Sequence, residues 1–277
     1  MLIWINGELT DSSHATVSAL DHGLTVGDGA FETAKVVDGV PFALERHLTR
    51  LQQSATGLGL PAPDRALVRK ACTDVIGALE RSDLARLRIT YTGGIAPMGS
   101  ERGDAEPTLI VGGTPVQPYP PTASVAAVPW PRNERGALAG LKTTSYAENV
   151  VALARARERG GSEALMADTQ GRLCEGTGSN VFVVVDGRVL TPSLASGCLA
   201  GITRDLVLEW TEAQEAELDF SVLDEADEIF LTSSVRDVQP VEAVIYDDRR
   251  HHVTAPGPKT DEIAAEFERR SAENPEP

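Results

Sequence analysis

The sequence predicts an α+β protein in two lobes, and three observations carry that prediction. Short β patterns closed by Asn-Gly and Asp-Gly turns share the first 113 residues with two helical apolar stripes. Residues 114–131 then hold six prolines (Pro115, Pro118, Pro120, Pro121, Pro129 and Pro131), which reads as an interdomain linker. Beyond it, strand and helix patterns resume to the end of the chain. The organisation is therefore a small N-terminal α+β lobe over 1–113, a linker over 114–131 and a larger C-terminal lobe over 132–277. A chain of 277 residues has ample material for buried cores of that size.

Taken in order, residues 2–5 are an apolar run that meets Asn6-Gly7, a hairpin signal, and 8–10 return. Gly27-Asp28-Gly29 precedes a strand over 30–37, which turns at Asp38-Gly39 into 40–44. The Gly-Asp-Gly run lacks the helix and Lys-Ser/Thr of a phosphate-cradling loop, so it reads as a turn. Leu44, Leu48, Leu51 and Ala55 recur at helical spacing, as do Leu67, Ala71, Val75 and Leu79 behind an Asp64 N-cap. Strands follow at 86–91 and 108–111, separated by a glycine-rich loop over 92–103. Past the prolines, where 124–128 suits a strand, a helix is expected over 147–159, ended by Gly160-Gly161. Strands over 163–167, 181–185, 189–190 and 228–231 come next, with an Asp186-Gly187 hairpin and a helix over 204–210. The last helix spans 260–270 and leads into an acidic tail that composition reads as disordered.

Charge and cysteine content exclude several functions. The net charge of −16 disfavours nucleic acid and anionic membrane, which both call for a basic face. Neither a signal-peptide pattern at Met1 to Gly7 nor a bilayer-length apolar run is present in the sequence. Cys72, Cys174 and Cys198 are odd in number and lack metal-ligand spacing, and the five histidines form no paired-ligand pattern. Reduced thiols in a cytoplasmic protein without a metal is the expectation.

Chemistry enters through Lys142. It is one of four lysines, with Lys35, Lys70 and Lys259, in a chain that otherwise takes its positive charge from arginine. A desolvated lysine can lose its proton and form a Schiff base, which arginine does not do. Glu175 ends a strand and could face a pyridine nitrogen, keeping it protonated. Gly201-Ile202-Thr203 opens a helix whose N–H groups could hold a phosphate, and Arg50 could add a charge-assisted contact. Taken singly, Arg50 reads as a solvated helix charge, Glu175 as a turn acid and the Gly201 run as a helix start. Their joint occurrence fits one anionic aromatic aldehyde cofactor.

The ordered set carries a resemblance. Gly27-Asp28-Gly29-Ala30-Phe31-Glu32, His47-Leu48-Thr49-Arg50-Leu51, Lys142 with Tyr146, Glu175-Gly176-Thr177-Gly178-Ser179-Asn180-Val181-Phe182, Gly201-Ile202-Thr203-Arg204 and Thr232-Ser233-Ser234 resemble the class IV aminotransferases. These fold-type IV pyridoxal-phosphate enzymes include branched-chain and D-amino acid aminotransferases, (R)-amine transaminases and aminodeoxychorismate lyases. The resemblance implies a barrel-like sheet in the larger lobe, a homodimer and pyridoxal 5'-phosphate as cofactor. It implies Lys142 as Schiff-base lysine and general base, Glu175 at the pyridine nitrogen and Arg50 at the phosphate. Ile202, Thr203, Ser233 and Ser234 become further phosphate contacts, Tyr146 approaches the phenolic oxygen, and Ser179 and Asn180 join the cofactor set.

Substrate loops decide among the branches. The Arg-x-His clamp of well-known D-amino acid enzymes is replaced here by Ala96-Pro97-Met98-Gly99-Ser100, and the Gly-Gly-Arg-Gly-Tyr-like loop of some lyases by Gly93-Gly94-Ile95. Arg88, Arg102, Arg132 and Arg135 remain as carboxylate partners, and Phe31, Arg88 and Met98 are assigned to the substrate pocket. The spacing from Lys142 to Gly160 matches the D-amino acid and lyase branches. The expected reaction is amino-group transfer between a D-amino acid or (R)-amine and a 2-oxo acid, with aminodeoxychorismate lyase as the alternative. A non-catalytic protein on the same scaffold is disfavoured by the presence of both Lys142 and Glu175.

Overall fold

The computed structural model describes residues 1–80 and 82–277. They form two compact units. The first comprises Met1–Pro118 with Leu141–Tyr146 and Pro275–Pro277, and the second comprises Tyr119–Gly140 and Ala147–Asn274.

The first unit is a six-stranded antiparallel sheet. It contains β1 (Leu2–Ile5), β2 (Glu8–Asp11), the helical turn α1 (His22–Thr25), β3 (Gly29–Val37) and β4 (Val40–Pro41). The helices α2 (Leu44–Gly57) and α3 (Arg65–Gly77), and the strands β5 (Leu84–Thr92) and β6 (Thr108–Pro115), complete it. The strand order is β2-β1-β6-β5-β3-β4. Alternation along the strands decides which face is core. Trp4, Ala34, Val36, Leu87, Ile89 and Val111 cluster with Leu48 and Leu51 of α2 and Val68 and Val75 of α3. Phe31 and Thr33 of β3 lie on the opposite face, paired with Thr90 and Arg88 of β5. Both hairpin signals are true turns: Asn6, Gly7, Asp38 and Gly39 all have positive φ.

Leu141–Tyr146 is laid along the start of β3, with Thr143 bridging Ala30. Phe31 donates its N–H to the Lys142 carbonyl at 3.0 Å, and Thr144 donates to the Gly29 carbonyl at 2.8 Å. The helix after it starts at Ala147, so Lys142 stands on a strand-like edge and not at a helix start. The acidic tail is also ordered, contrary to its composition. Glu276 accepts the Glu45 N–H at 2.7 Å and the Leu44 N–H at 3.2 Å, and Pro275 accepts that of Ala43 at 2.7 Å. Ala43 has no capping side chain, so the tail satisfies donors that α2 would otherwise leave open.

The second unit holds a nine-stranded mixed sheet. Its strands are β7 (Ala123–Ala127), β8 (Glu163–Ala167), β9 (Leu173–Gly176), β10 (Asn180–Val185), β11 (Arg188–Pro192), β12 (Gln214–Ala216), β13 (Glu228–Ser233), β14 (Asp237–Ile245) and β15 (Arg250–His252). The order is β12-β11-β10-β13-β14-β7-β8-β9, with β15 on β14. β9 also lies against β10 and β11, so the sheet curls back on itself into the expected barrel-like form. Leu165, Val181, Val183, Ile229, Leu231 and Val244 fill its core. Around it stand α4 (Ala147–Glu158), α5 (Ile202–Trp210), α6 (Val222–Glu225) and α7 (Pro258–Glu273). Strand β14 escaped the sequence reading because Pro240 interrupts it and a register shift follows at Val241/Ala243.

Candidate active site

In the first unit, the chemistry collects around the Phe31 ring. Lys142 Nζ lies 4.2 Å from the ring centroid and the Arg88 guanidinium carbon 3.3 Å from it. Tyr146 meets the same ring edge-on, centroids 5.3 Å apart at 86°. The extended segment delivers Lys142 and Tyr146, while register between β3 and β5 places Arg88 opposite Thr33, one step from Phe31. Burial pushes the Arg88 guanidinium down to about 10, countered by Tyr146, so it stays charged at neutral pH.

Behind that ring, on the helix-covered face, Glu32 is fully buried. It receives Arg50 Nε and Nη2 at 2.7 Å each and pairs with His47 Nδ1 at 2.7 Å. His47 and Arg50 lie three apart on α2 and so share one face. Burial works to raise the Glu32 carboxyl, yet the charge and hydrogen bonds of Arg50, with the His47 bond, hold it far below the usual range. Burial lowers His47 despite Glu32, and the Arg50 and Lys142 charges add to the lowering. The Arg50–Glu32 fork fixes the guanidinium plane through its Nε–Nη2 edge.

In the second unit, Glu175 ends β9 with its carboxylate held at both oxygens. Oε2 accepts the Leu199 N–H at 2.9 Å, and Oε1 lies 3.3 Å from Arg132 Nε. Arg132 Nη1 donates to Asn149 Oδ1 at 3.2 Å, and Asn149 donates to the Thr177 carbonyl at 2.6 Å. Below these, buried Glu163 accepts from the Thr177 N–H and hydroxyl, from Ser179 Oγ at 3.2 Å and from Arg236 at 3.2 Å. Helix α5 starts at Gly201 without a side-chain cap, although Ile202 and Thr203 are buried. A Cβ at Gly201 would collide with Asn180 Oδ1, so a larger residue there would displace the Asn180 side chain. Thr232 Oγ1, at the end of β13, is buried without a partner.

These placements sort the predicted residues. Lys142, Tyr146, Phe31, Arg88 and Arg50 belong to the first unit, and Glu175, Ser179, Asn180, Ile202, Thr203, Ser233 and Ser234 to the second. The structure uses the Ser179 hydroxyl on Glu163, and the Asn180 amide on the Leu199 carbonyl at 2.9 Å. Met98 is 81% exposed. Of the four candidate arginines, Arg102 is forked onto Asp28 at 2.6 Å, Arg132 joins Glu175, and Arg135 points out beside Glu134. Arg88 is left, stacked on the Phe31 ring. Sequence reading missed Glu32 and Glu163 as organisers. Glu32 had a signal, since it alternates with Phe31 on β3 and its partners sit one turn apart on α2. Among the described residues, no group of three or more His, Cys, Asp or Glu side chains is arranged to hold a metal.

Comparison with known proteins now places this geometry. The sequence model of the family described as amino-transferase class IV matches residues 29–244. The chain is 34% identical over 257 residues to a protein of Methanocaldococcus jannaschii provisionally named a branched-chain-amino-acid aminotransferase, covering 87% of each. It is 30% identical over 250 residues to a bifunctional aminodeoxychorismate lyase / D-amino acid transaminase of Mycobacterium tuberculosis, covering 82% of this chain and 83% of that one. The crystal structure of a branched-chain aminotransferase from Thermoproteus uzoniensis matches with a TM-score of 0.89 at 27% identity, covering 97% of this chain and 94% of that one. The fold is therefore that of the fold-type IV aminotransferases, as expected from the sequence. Pyridoxal phosphate is the cofactor of this class, and a solved Mycobacterium tuberculosis aminotransferase carries it. The residues here fit such a group: α5 starts buried and uncapped, as an anion site does, and Thr232 Oγ1 lacks a protein partner.

Proposed function

Because the chain belongs to the class IV aminotransferase family, we propose that it moves an amino group between a D-amino acid and a 2-oxo acid, with (R)-amines as weaker donors. The observation that carries this reading is the shared ring: Arg88 and Lys142 stack on Phe31 at 3.3 and 4.2 Å. A carboxylate on Arg88 would hold the substrate's α-carbon within reach of the Lys142 amine. An amine without a carboxylate forgoes that anchor, hence its weaker turnover.

Pyridoxal phosphate, when bound, supplies an aldehyde for amines to condense with and a ring that accepts electron density. Lys142 would contribute the amine that holds it, and its Nζ would carry a proton from the donor's Cα. Glu175, positioned by the Leu199 N–H and by Arg132, would hold a proton on the ring nitrogen. Arg50, the N–H groups of Ile202 and Thr203, and the hydroxyls of Ser233 and Ser234 would hold the phosphate. Tyr146, set by its edge contact with Phe31, would hydrogen-bond the phenolic oxygen. Proton delivery by Lys142 from a single side of the acceptor carbon would give one hand of product.

We also assign a homodimer, supported by the exposed apolar side chains Leu20, Leu24, Val26, Ile95 and Met98 of the first unit. A reducing, cytoplasmic setting suits three free, buried cysteines. Two other reactions are favoured by particular relatives: branched-chain L-amino acid transamination by the 34% match, and aminodeoxychorismate cleavage to 4-aminobenzoate and pyruvate by the 30% match. Incubation with 2-oxoglutarate and either D-alanine or L-leucine, and separately with aminodeoxychorismate, tests all three. Glutamate should form fastest from D-alanine. Faster turnover of L-leucine, or aminobenzoate release at higher kcat/KM, would replace the proposal.

A further inference from the structure

Two buried side chains of opposite charge in the second unit have no part in the proposed reaction. Glu163 opens β8, and Arg236 lies between the end of β13 and the start of β14. Their side chains are 2% and 8% exposed, and Arg236 Nη2 donates to Glu163 Oε2 at 3.2 Å. Arg236 Nη1 donates to Gln239 Oε1 at 2.6 Å, and its guanidinium carbon lies 4.4 Å from the Tyr119 ring centroid. Gln239 is itself fixed by donating to the Pro120 carbonyl at 2.7 Å. An acid, an amide and a ring therefore hold one planar group in place.

Each member of the pair grips a different turn. Residues 176–179 follow Glu175 directly and wrap the Glu163 carboxylate. Glu163 accepts the Thr177 N–H at 3.0 Å, the Thr177 hydroxyl and the Ser179 hydroxyl at 3.2 Å. A Cβ at Gly176 would come within 3.2 Å of Glu163 Cγ, which shows how closely that turn is drawn in. Arg236 belongs to the turn over 233–237, which Ser233 and Asp237 close in register. The ion pair thus joins the turn beside Glu175 to the turn that carries Ser233 and Ser234. A buried pair of this kind adds little net stability, because desolvation offsets most of its attraction. What it fixes is geometry, since a planar guanidinium meets its partners in few arrangements.

We propose that Glu163 and Arg236 are positioning residues, a strut that sets the spacing between the two ends of the cofactor cradle. Glu175 marks the pyridine end, and Ser233 and Ser234 mark the phosphate end. The inference rests on the cofactor roles proposed above for those three residues, and it adds how their separation is held. A ligand gripped at two ends gains affinity only when both ends fit at once. Loosening the strut therefore weakens the whole cofactor but leaves either half, taken alone, bound as before.

The test is titration of the full chain, resolved of cofactor, with pyridoxal phosphate, pyridoxal and inorganic phosphate. Absorbance follows the first two, and competition against the first follows the third. Arg236→Gln should raise the Kd for pyridoxal phosphate at least tenfold, while pyridoxal and phosphate stay within twofold. The double variant Glu163→Gln with Arg236→Gln strands no buried charge and should show the same pattern. Arg236→Lys, which keeps the ion pair, should stay within threefold of the parent for all three. Equal losses for the three ligands would show a damaged fold, and an unchanged Kd for pyridoxal phosphate would show an idle pair; either overturns the strut. Joint loss of pyridoxal phosphate and phosphate, with pyridoxal unaffected, would make Arg236 a direct phosphate contact and also overturn it. Ser234→Ala tests the underlying reading separately: if it binds phosphate as the parent does, the phosphate end is misassigned and the strut falls with it.

Discussion

Removing the Glu32 carboxylate would take away the acceptor that Arg50 and His47 share, because both direct hydrogen bonds at it inside a buried site. Glu32→Ala should cost about 3–5 kcal/mol in a urea melt at pH 7, the usual penalty for a buried charge losing its partner. A cost below about 1 kcal/mol would show the triad to be dispensable. The pH dependence has a definite sign. Glu32 holds its proton more weakly folded than unfolded, so its stabilisation is whole above its ordinary 4.5 and is lost as pH falls below it. His47 is lowered too, so its neutral form favours folding above 6.5 and that contribution erodes as pH falls through that value. Stability should therefore begin to fall near pH 6.5, and His47→Gln should remove that first part while leaving the steeper loss below pH 4.5. An unchanged profile in His47→Gln would refute this. At this scale the sequence singles out Lys142 by its rarity and Arg50 by its place in an ordered motif. The stacking of Arg88 on Phe31 is not legible there, since it depends on strand register, nor is the Arg132–Glu175 pair, whose members lie far apart in the chain.

Helix α2 carries that triad, yet its first turn is closed by residues from the other end of the chain. Glu276 supplies the acceptor that Ala43 lacks, and Arg46 Nε reaches the Pro277 oxygen at 2.9 Å. Glu276→Ala should destabilise by about 1 kcal/mol, as loss of an N-cap does, with Glu276→Gln closer to the parent because its amide oxygen still accepts. Hydrogen exchange should rise at residues 44–47 and not in α3; uniform exchange would show that the tail caps nothing. Elements with local chemistry were the ones the sequence revealed. Asn6-Gly7, Asp38-Gly39 and Asp186-Gly187 turn as read because both central residues take positive φ, which these residue types tolerate. The tail was misjudged for the opposite reason: its order comes from a helix start more than 200 residues away, which composition does not register.

Across the whole molecule, the sequence reading recovered the α+β architecture and the curled second sheet, since both follow from periodicity and from an ordered series of motifs. It did not reveal that a six-residue stretch past the proline run groups with the first unit, because backbone pairing to β3 leaves no side-chain signature. Composition also predicts chemical behaviour. Burial pushes Cys72 up to about 12 and Cys198 up to about 11, and it raises Cys174 as well. All three should resist a thiol reagent at pH 8 in the native protein and react fully in denaturant. One rapid native equivalent would contradict their burial.

The seating of Leu141–Tyr146 on β3 also governs how this chain can be recombined. A chimera joined to a relative at the proline-rich segment would pair one parent's Lys142 stretch with the other parent's β3, and so mix the two sides of a backbone ladder. Functional hybrids are expected from exchanges that move residues 141–146 along with the N-terminal unit, as a double crossover. The inheritance unit for Lys142 is thus discontinuous in the gene, although it is continuous in the fold.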